Sequence, residues 1–167
     1  MVTLNKSIIL DSMKPENIDK LGISHTHRVV VGAYIFDSRG RMLLLLRNNP
    51  PYVFAPPGGR LNPDENPRNG IFREVVEEAG IEIELFAQPF IWFGSIVKDS
   101  PPVISLDFIA HALDSDVKLS DEHSDFIWAT RDQIEKNVII TIDKDGFGYD
   151  TKHILDAFDV YLKLKDD

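Results

Sequence analysis

The stretch from Gly59 to Ile81, GRLNPDENPRNGIFREVVEEAGI, constrains this chain more than any other. Asn66 is suited to cap a helix, Pro67 to open it and Gly80 to end it in a left-handed turn. The spacing therefore predicts a tightly bounded helix of about three to four turns. Within it, Glu74, Glu77 and Glu78 fall at offsets that share one face, with Phe72, Val75, Val76 and Ala79 expected on the opposite face. Three carboxylates within about one turn repel each other. A hard divalent cation with oxygen ligands is the natural counterweight. A merely solvated acidic face is the plain alternative. The surroundings favour the cation: Pro57-Gly58-Gly59 lies just upstream, Glu65 sits in the intervening loop, and Arg73 directly precedes the acids.

The same residues resemble the signature of the Nudix (MutT-like) hydrolases, G-x5-E-x7-R-E-U-x-E-E-x-G-U with U aliphatic. Gly59, Glu65, Arg73-Glu74-Val75, Glu77-Glu78 and Gly80-Ile81 fill every fixed position at the required spacing. Gly70, one turn before Glu74, stands where relatives often carry alanine. The resemblance is expected to extend from about Arg28 to about Arg131. It implies an α/β fold, the Nudix α/β/α sandwich with a mixed β-sheet between helices, over a single domain of residues 1–167 with 1–25 as an N-terminal extension. It also implies a metal-dependent hydrolase that cleaves the pyrophosphate linkage of a nucleoside diphosphate derivative. Glu78 and Glu74 would be the main ligands of Mg2+, with Mn2+ a substitute. Glu77 would be a further ligand or the support of a second metal, and the Gly58 carbonyl would complete a site. Arg73 would brace the glutamates, Glu65 included. For the general base, Glu77 and Glu122, in Asp121-Glu122-His123, stand level.

Composition is consistent with this. At 167 residues and 43% hydrophobic, the chain can bury a real core. The net charge of −9 argues against a grip on nucleic acid, and it suits a polyphosphate only where cations screen the site. No run of about 18 uncharged apolar residues suggests a membrane span, and no secretory signal is apparent, so a cytoplasmic protein is the expectation. Without cysteine there is no disulfide and no thiolate chemistry.

Along the chain, Arg28–Phe36 and Arg41–Arg47 read as a hairpin about the Asp37–Gly40 turn, with Met42–Leu46 continuously apolar as in a strand covered on both faces. Asn48–Pro57 reads as a proline-rich loop. Strands are expected over Glu82–Phe86, Phe90–Val97, Val103–Leu113 and Asp125–Thr130, with a brief helix over Arg131–Lys136. A closing amphipathic helix from Thr151 to about Lys163 would bury Ile154, Leu155, Phe158, Tyr161 and Leu162.

For the substrate, Arg47 and Arg28 are candidates to meet phosphate, and Tyr52 and Phe54 to stack on a base, Phe54 having the alternative of anchoring its loop in the core. Some family subgroups carry a proline or tyrosine about 15 to 17 residues past the signature. Here Ile96, Val97 and Lys98 stand there, leaving nucleoside triphosphates, dinucleoside polyphosphates, ADP-ribose and nucleotide sugars open. A noncatalytic nucleotide-binding module is the main alternative. An isopentenyl diphosphate isomerase-like enzyme is disfavoured by the absence of cysteine. His25 and His27, flanking Thr26, read as structural. The extension and the closing helix each offer a surface for a homodimer, which no residue compels.

Overall fold

The computed structural model describes residues 28–86 and 89–166. The expected extension over 1–25, with His25 and His27, lies outside the described residues.

Strand β1 (Arg28–Phe36) turns through Asp37, whose carboxylate accepts the backbone N–H groups of Arg39 and Arg41, into β2 (Met42–Arg47). Two short strands follow, β3 (Phe54–Ala55) and β4 (Gly58–Arg60), then helix α1 (Pro67–Ala79). Next come β5 (Ile83–Leu85), β6 (Phe90–Gly94), β7 (Val103–Ala112) and β8 (His123–Ala129). Helices α2 (Arg131–Glu135) and α3 (Thr151–Asp166) close the chain.

These eight strands form one sheet with the main order β3-β2-β1-β7-β5; β4 also pairs β1, β6 pairs β7, and β8 pairs β2. The β1–β7 ladder is parallel over its whole length and every other pairing is antiparallel, so the sheet is mixed. The period of two sends alternate side chains to opposite faces. Val31, Ala33, Ile35, Leu43, Leu45, Phe108 and Ala110 pack under Ile71, Val75 and Ala79 of α1. Tyr34, Phe36, Met42, Leu44 and Ile109 pack under Ile134 of α2 and Ile154, Ala157, Phe158 and Tyr161 of α3. This is the α/β/α sandwich. The apolar run in β2 is explained by it, because both faces of that strand are covered.

Three expectations are corrected. β3 and β4 arise inside the proline- and glycine-rich stretch, where only pairing to β2 and β1 defines them. Leu162 of α3 is exposed, while Ala157 takes a place in the core. The third correction concerns α1. Its buried side carries Ile71, Val75 and Ala79 together with Gly70, Glu74 and Glu78, while Phe72 and Val76 are 39% and 56% exposed. The helix is rotated relative to the simple division into an acidic and an apolar face.

Candidate active site

The rotation of α1 carries two carboxylates inward. Glu74 and Glu78 are both buried, whereas the Glu77 side chain remains 57% exposed. They meet the β4 diglycine, which β1 holds in register as Val31↔Gly59 and Gly32↔Gly58. The Gly58 N–H donates to Glu78 Oε2 at 2.8 Å. At φ 156° Gly58 lies in the region that favours glycine, and a Cβ there would stand 2.2 Å from the Val31 carbonyl oxygen. A Cβ on Gly59 would lie 2.5 Å from the Glu74 carboxylate. Glycine at 58 lets β4 close on the β1 backbone, and glycine at 59 leaves room for the Glu74 carboxylate.

The caps that fix α1 are those its sequence suggests. Asn66 accepts the Arg68 N–H at 2.9 Å, and Gly80 adopts φ 65° with its N–H directed to the carbonyls of Val75 and Val76. Gly70 is explained by packing, since a Cβ would come within 2.3 Å of Leu61.

Arg73 organises the acids. Its Nε and Nη2 donate to the two oxygens of Glu65 at 2.9 and 2.8 Å, its Nη1 donates to Glu74 Oε1 at 2.9 Å and Glu77 Oε2 at 3.0 Å, and Nη2 also meets the Arg60 carbonyl at 3.0 Å. The planar fork suits this bidentate geometry. Glu65 also accepts the Asn62 N–H, and the Arg73 pairing holds its carboxyl down at about 2.

The inner carboxylates behave in the opposite way. Burial pushes Glu78 up to about 8, with the charges of Glu74 and Glu122 adding to the rise and the Gly58 N–H and Arg47 opposing it. Glu74 is also raised by burial, against the pull of Arg73. Buried acid is therefore concentrated at Glu78 and Glu74, where Glu74 shares the one charge of Arg73 with Glu65 and Glu77. Among the described residues no three Asp, Glu or His groups are gathered into a ready-made metal cage. Magnesium does not require one, since it is commonly held by one or two carboxylates with waters and substrate phosphates supplying the rest. Glu74, Glu78 and the neighbouring Gly58 backbone have the donor chemistry for such a cation.

Glu122 reaches the same place from the loop before β8. Its charge raises both Glu74 and Glu78, and its carbonyl accepts the Asn48 N–H at 2.8 Å. Arg47 is anchored by the Pro50 and Pro51 carbonyls and is close enough to lower Glu78. Tyr52 is largely exposed, and Arg28 lies exposed at the start of β1. Phe54 packs against the apolar layer of α2 and α3, which is the anchoring alternative.

One residue escaped the sequence reading. His123 is buried with Nε2 3.9 Å from Glu78 Oε1, and its Nδ1 is buried without a hydrogen-bond partner. Burial holds its pKa below the usual value, favouring the neutral ring. Its signal in the sequence was its place beside Glu122.

The architecture is thus a mixed-sheet α/β/α sandwich that sets a glycine strand against a carboxylate-bearing helix. Residues 26–146 match the NUDIX domain family, and the chain belongs to it. It is 28% identical over 142 residues, 78% of its length, to a MutT-like protein of Streptomyces ambofaciens, of which it covers 89%. Among solved structures it resembles the MutT protein of Methanosarcina mazei Go1, with TM-score 0.62, 28% identity, and coverage of 84% of this chain and 99% of that one. It also shares its fold with the NUDIX domain of Shewanella oneidensis NrtR, solved with ADP ribose, with TM-score 0.65, 15% identity, and coverage of 95% and 99%. The protein is thus a Nudix hydrolase. No helix among the described residues is long and apolar enough to cross a membrane.

Proposed function

We propose that this Nudix hydrolase cleaves the pyrophosphate linkage of a nucleoside diphosphate derivative with the help of Mg2+, for which Mn2+ can substitute. The observation that carries this reading is the pair Glu74 and Glu78, buried against a diglycine strand with too little positive charge to balance them. A cation bound there would screen the phosphate oxygens and make water a better nucleophile at neutral pH.

The chain's own residues divide the remaining work. Arg73 fixes the carboxylates of Glu65, Glu74 and Glu77, and the Gly58 N–H fixes Glu78. Between the two candidate bases, Glu122 is the better supported. Glu77 is paired to Arg73 at 3.0 Å and its charge raises Glu74 alone, whereas the charge of Glu122 raises both inner glutamates. Arg47, beside Glu78, is placed to meet a phosphate, and exposed Tyr52 is available to stack on a base. The ADP ribose bound by the NrtR NUDIX domain supports keeping ADP-ribose among the substrate classes, with nucleoside triphosphates, dinucleoside polyphosphates and nucleotide sugars.

The test is a panel of these nucleotides incubated with the protein in Mg2+ or Mn2+, scoring phosphorus products. Oxygen-labelled water in the same assay identifies the phosphorus attacked. Folded protein that leaves the whole panel intact with either metal would rule the reading out in favour of a binding module.

A further inference from the structure

One strand beyond the partner of the diglycine, on the face of the sheet away from α1, lies a second carboxylate that the site above does not use. Asp107 of β7 is 2% exposed, and its parallel register partner on β1 is Gly32, which in turn is the antiparallel partner of Gly58. The Asp107 carboxylate folds over Gly32, with Oδ1 only 2.7 Å from where a Cβ at that position would stand. On its far side Gly32 supports Gly58, whose own Cβ would be 2.7 Å from the Gly32 Cα. Gly58 then donates to Glu78. Asp107, Gly32, Gly58 and Glu78 form a continuous chain of neighbours that runs across β7, β1 and β4 and then to α1, and its two middle members have no side chains to give way.

The Asp107 end is held firmly. Trp92 Nε1 donates to Oδ2 at 2.8 Å, the Tyr34 hydroxyl donates to Oδ2 at 3.1 Å, and the Ser105 hydroxyl donates to Oδ1. These donors come from β6, β1 and β7, so the carboxylate ties three strands together at the point where β4 leans on β1. A buried carboxylate is expensive unless hydrogen-bonded, and this one is given three donors.

We propose that Asp107 is a positioning residue for hydrolysis: it fills the space over Gly32 and so fixes the β1 backbone that aims the Gly58 N–H at Glu78. The inference rests on the functional reading above only through the role of Glu78. Its physical content is the link between Asp107 and the Gly58 amide, which can be read without any substrate.

The experiment uses four variants of the full chain: Asp107→Ala, Asp107→Asn, Gly32→Ala, and Gly32→Ala combined with Asp107→Ala. Asp107→Ala empties the space over Gly32. Gly32→Ala forces the carboxylate off. The double variant returns a carbon to the vacated volume. Each single alanine variant is expected to lower kcat about tenfold or more, the scale seen when the support of a ligand is lost, with KM changed less than about threefold. The Gly58 amide resonance should shift in both. Asp107→Asn keeps the shape, an oxygen for Trp92 and Tyr34 and an N–H for the Ser105 oxygen, and should retain kcat within about threefold. The double variant should recover much of the loss, since contacting sites are not additive. Should Asp107→Ala fail to fold, Gly32→Ala and Asp107→Asn carry the test unchanged.

An unmoved Gly58 resonance in folded Asp107→Ala or Gly32→Ala overturns the proposal, as do additive losses in the double variant. So does Asp107→Asn falling as far as Asp107→Ala, which would make charge the relevant property. If the wild-type protein cleaves nothing, the functional reading fails and the Gly58 resonance alone decides the positioning.

Discussion

A single guanidinium, that of Arg73, satisfies Glu65 bidentately, reaches Glu74 and Glu77, and closes on the Arg60 carbonyl. Lysine offers a compact charge without the planar fork. Arg73→Lys should therefore weaken Mn2+ binding about 10- to 100-fold, a change that titration calorimetry measures directly. Glu78→Gln removes one charge and almost no volume. It should lower kcat/KM at least about 100-fold while the metal-free protein stays folded, because a buried, poorly compensated carboxylate has been neutralised. Retained magnesium-dependent turnover in folded Glu78→Gln would remove Glu78 from the site. The pairing of Arg73 with Glu65 and the place of Glu78 on α1 were legible because both depend on spacing along one local segment. The difference in burial between Glu74 and Glu77 did not follow from spacing, because the core selects the stripe Ile71, Val75 and Ala79, and that choice turns Glu74 inward and Glu77 out. His123 and Asp107 were hidden for another reason: each acquires its surroundings from strands far away in sequence.

At the scale of elements, the site is a contact between the inner side of α1 and β4. The boundaries of α1 could be read because caps are local chemistry, and Asn66 and Gly80 perform as their types suggest. β4 could not be read, since three residues with two glycines have no strand propensity and exist as a strand only through β1. That dependence makes Gly59 a sensitive probe. Alanine there would place a methyl 2.5 Å from the Glu74 carboxylate, and either the strand or the glutamate must move. Gly59→Ala should lower kcat by about two orders of magnitude, given how steeply rate depends on the position of such groups, with thermal unfolding still cooperative. Wild-type kcat in that variant would show that Glu74 need not approach the strand. The loop before β8 yields a milder prediction. Glu122→Gln should lower kcat more than about tenfold, since a general base typically contributes about 100-fold or more, and steady-state kinetics at saturating metal would reveal it. A drop of about tenfold or less would put Glu77 ahead of Glu122 as the candidate base.

For the molecule as a whole, the two apolar layers provide stability and the acidic site draws on it. Glu78 has a folded pKa of about 8 against an ordinary 4.5, so between those values the folded chain holds a proton that the unfolded chain has released. Its contribution is fully present below about pH 4.5 and is lost as pH rises toward 8, at up to about 1.4 kcal/mol per pH unit. Glu74 and Asp107, both raised by burial, act in the same direction. Glu65 acts in the opposite sense but outside this window: with a folded value of about 2, its contribution is present above its ordinary pKa and lost only as pH falls toward 2. Metal-free protein should therefore unfold at lower urea concentration at pH 8 than at pH 5.5, and Glu78→Gln should reduce that slope. Magnesium should reverse it. A cation that binds the deprotonated folded state stabilises the protein increasingly as pH rises, since binding must displace fewer protons. Urea midpoints measured at both pH values, with and without magnesium, check both signs. A wild-type midpoint that is flat in pH without metal and unmoved by magnesium would mean that Glu78 is already ionised and compensated by the protein itself, leaving a divalent cation no electrostatic reason to bind.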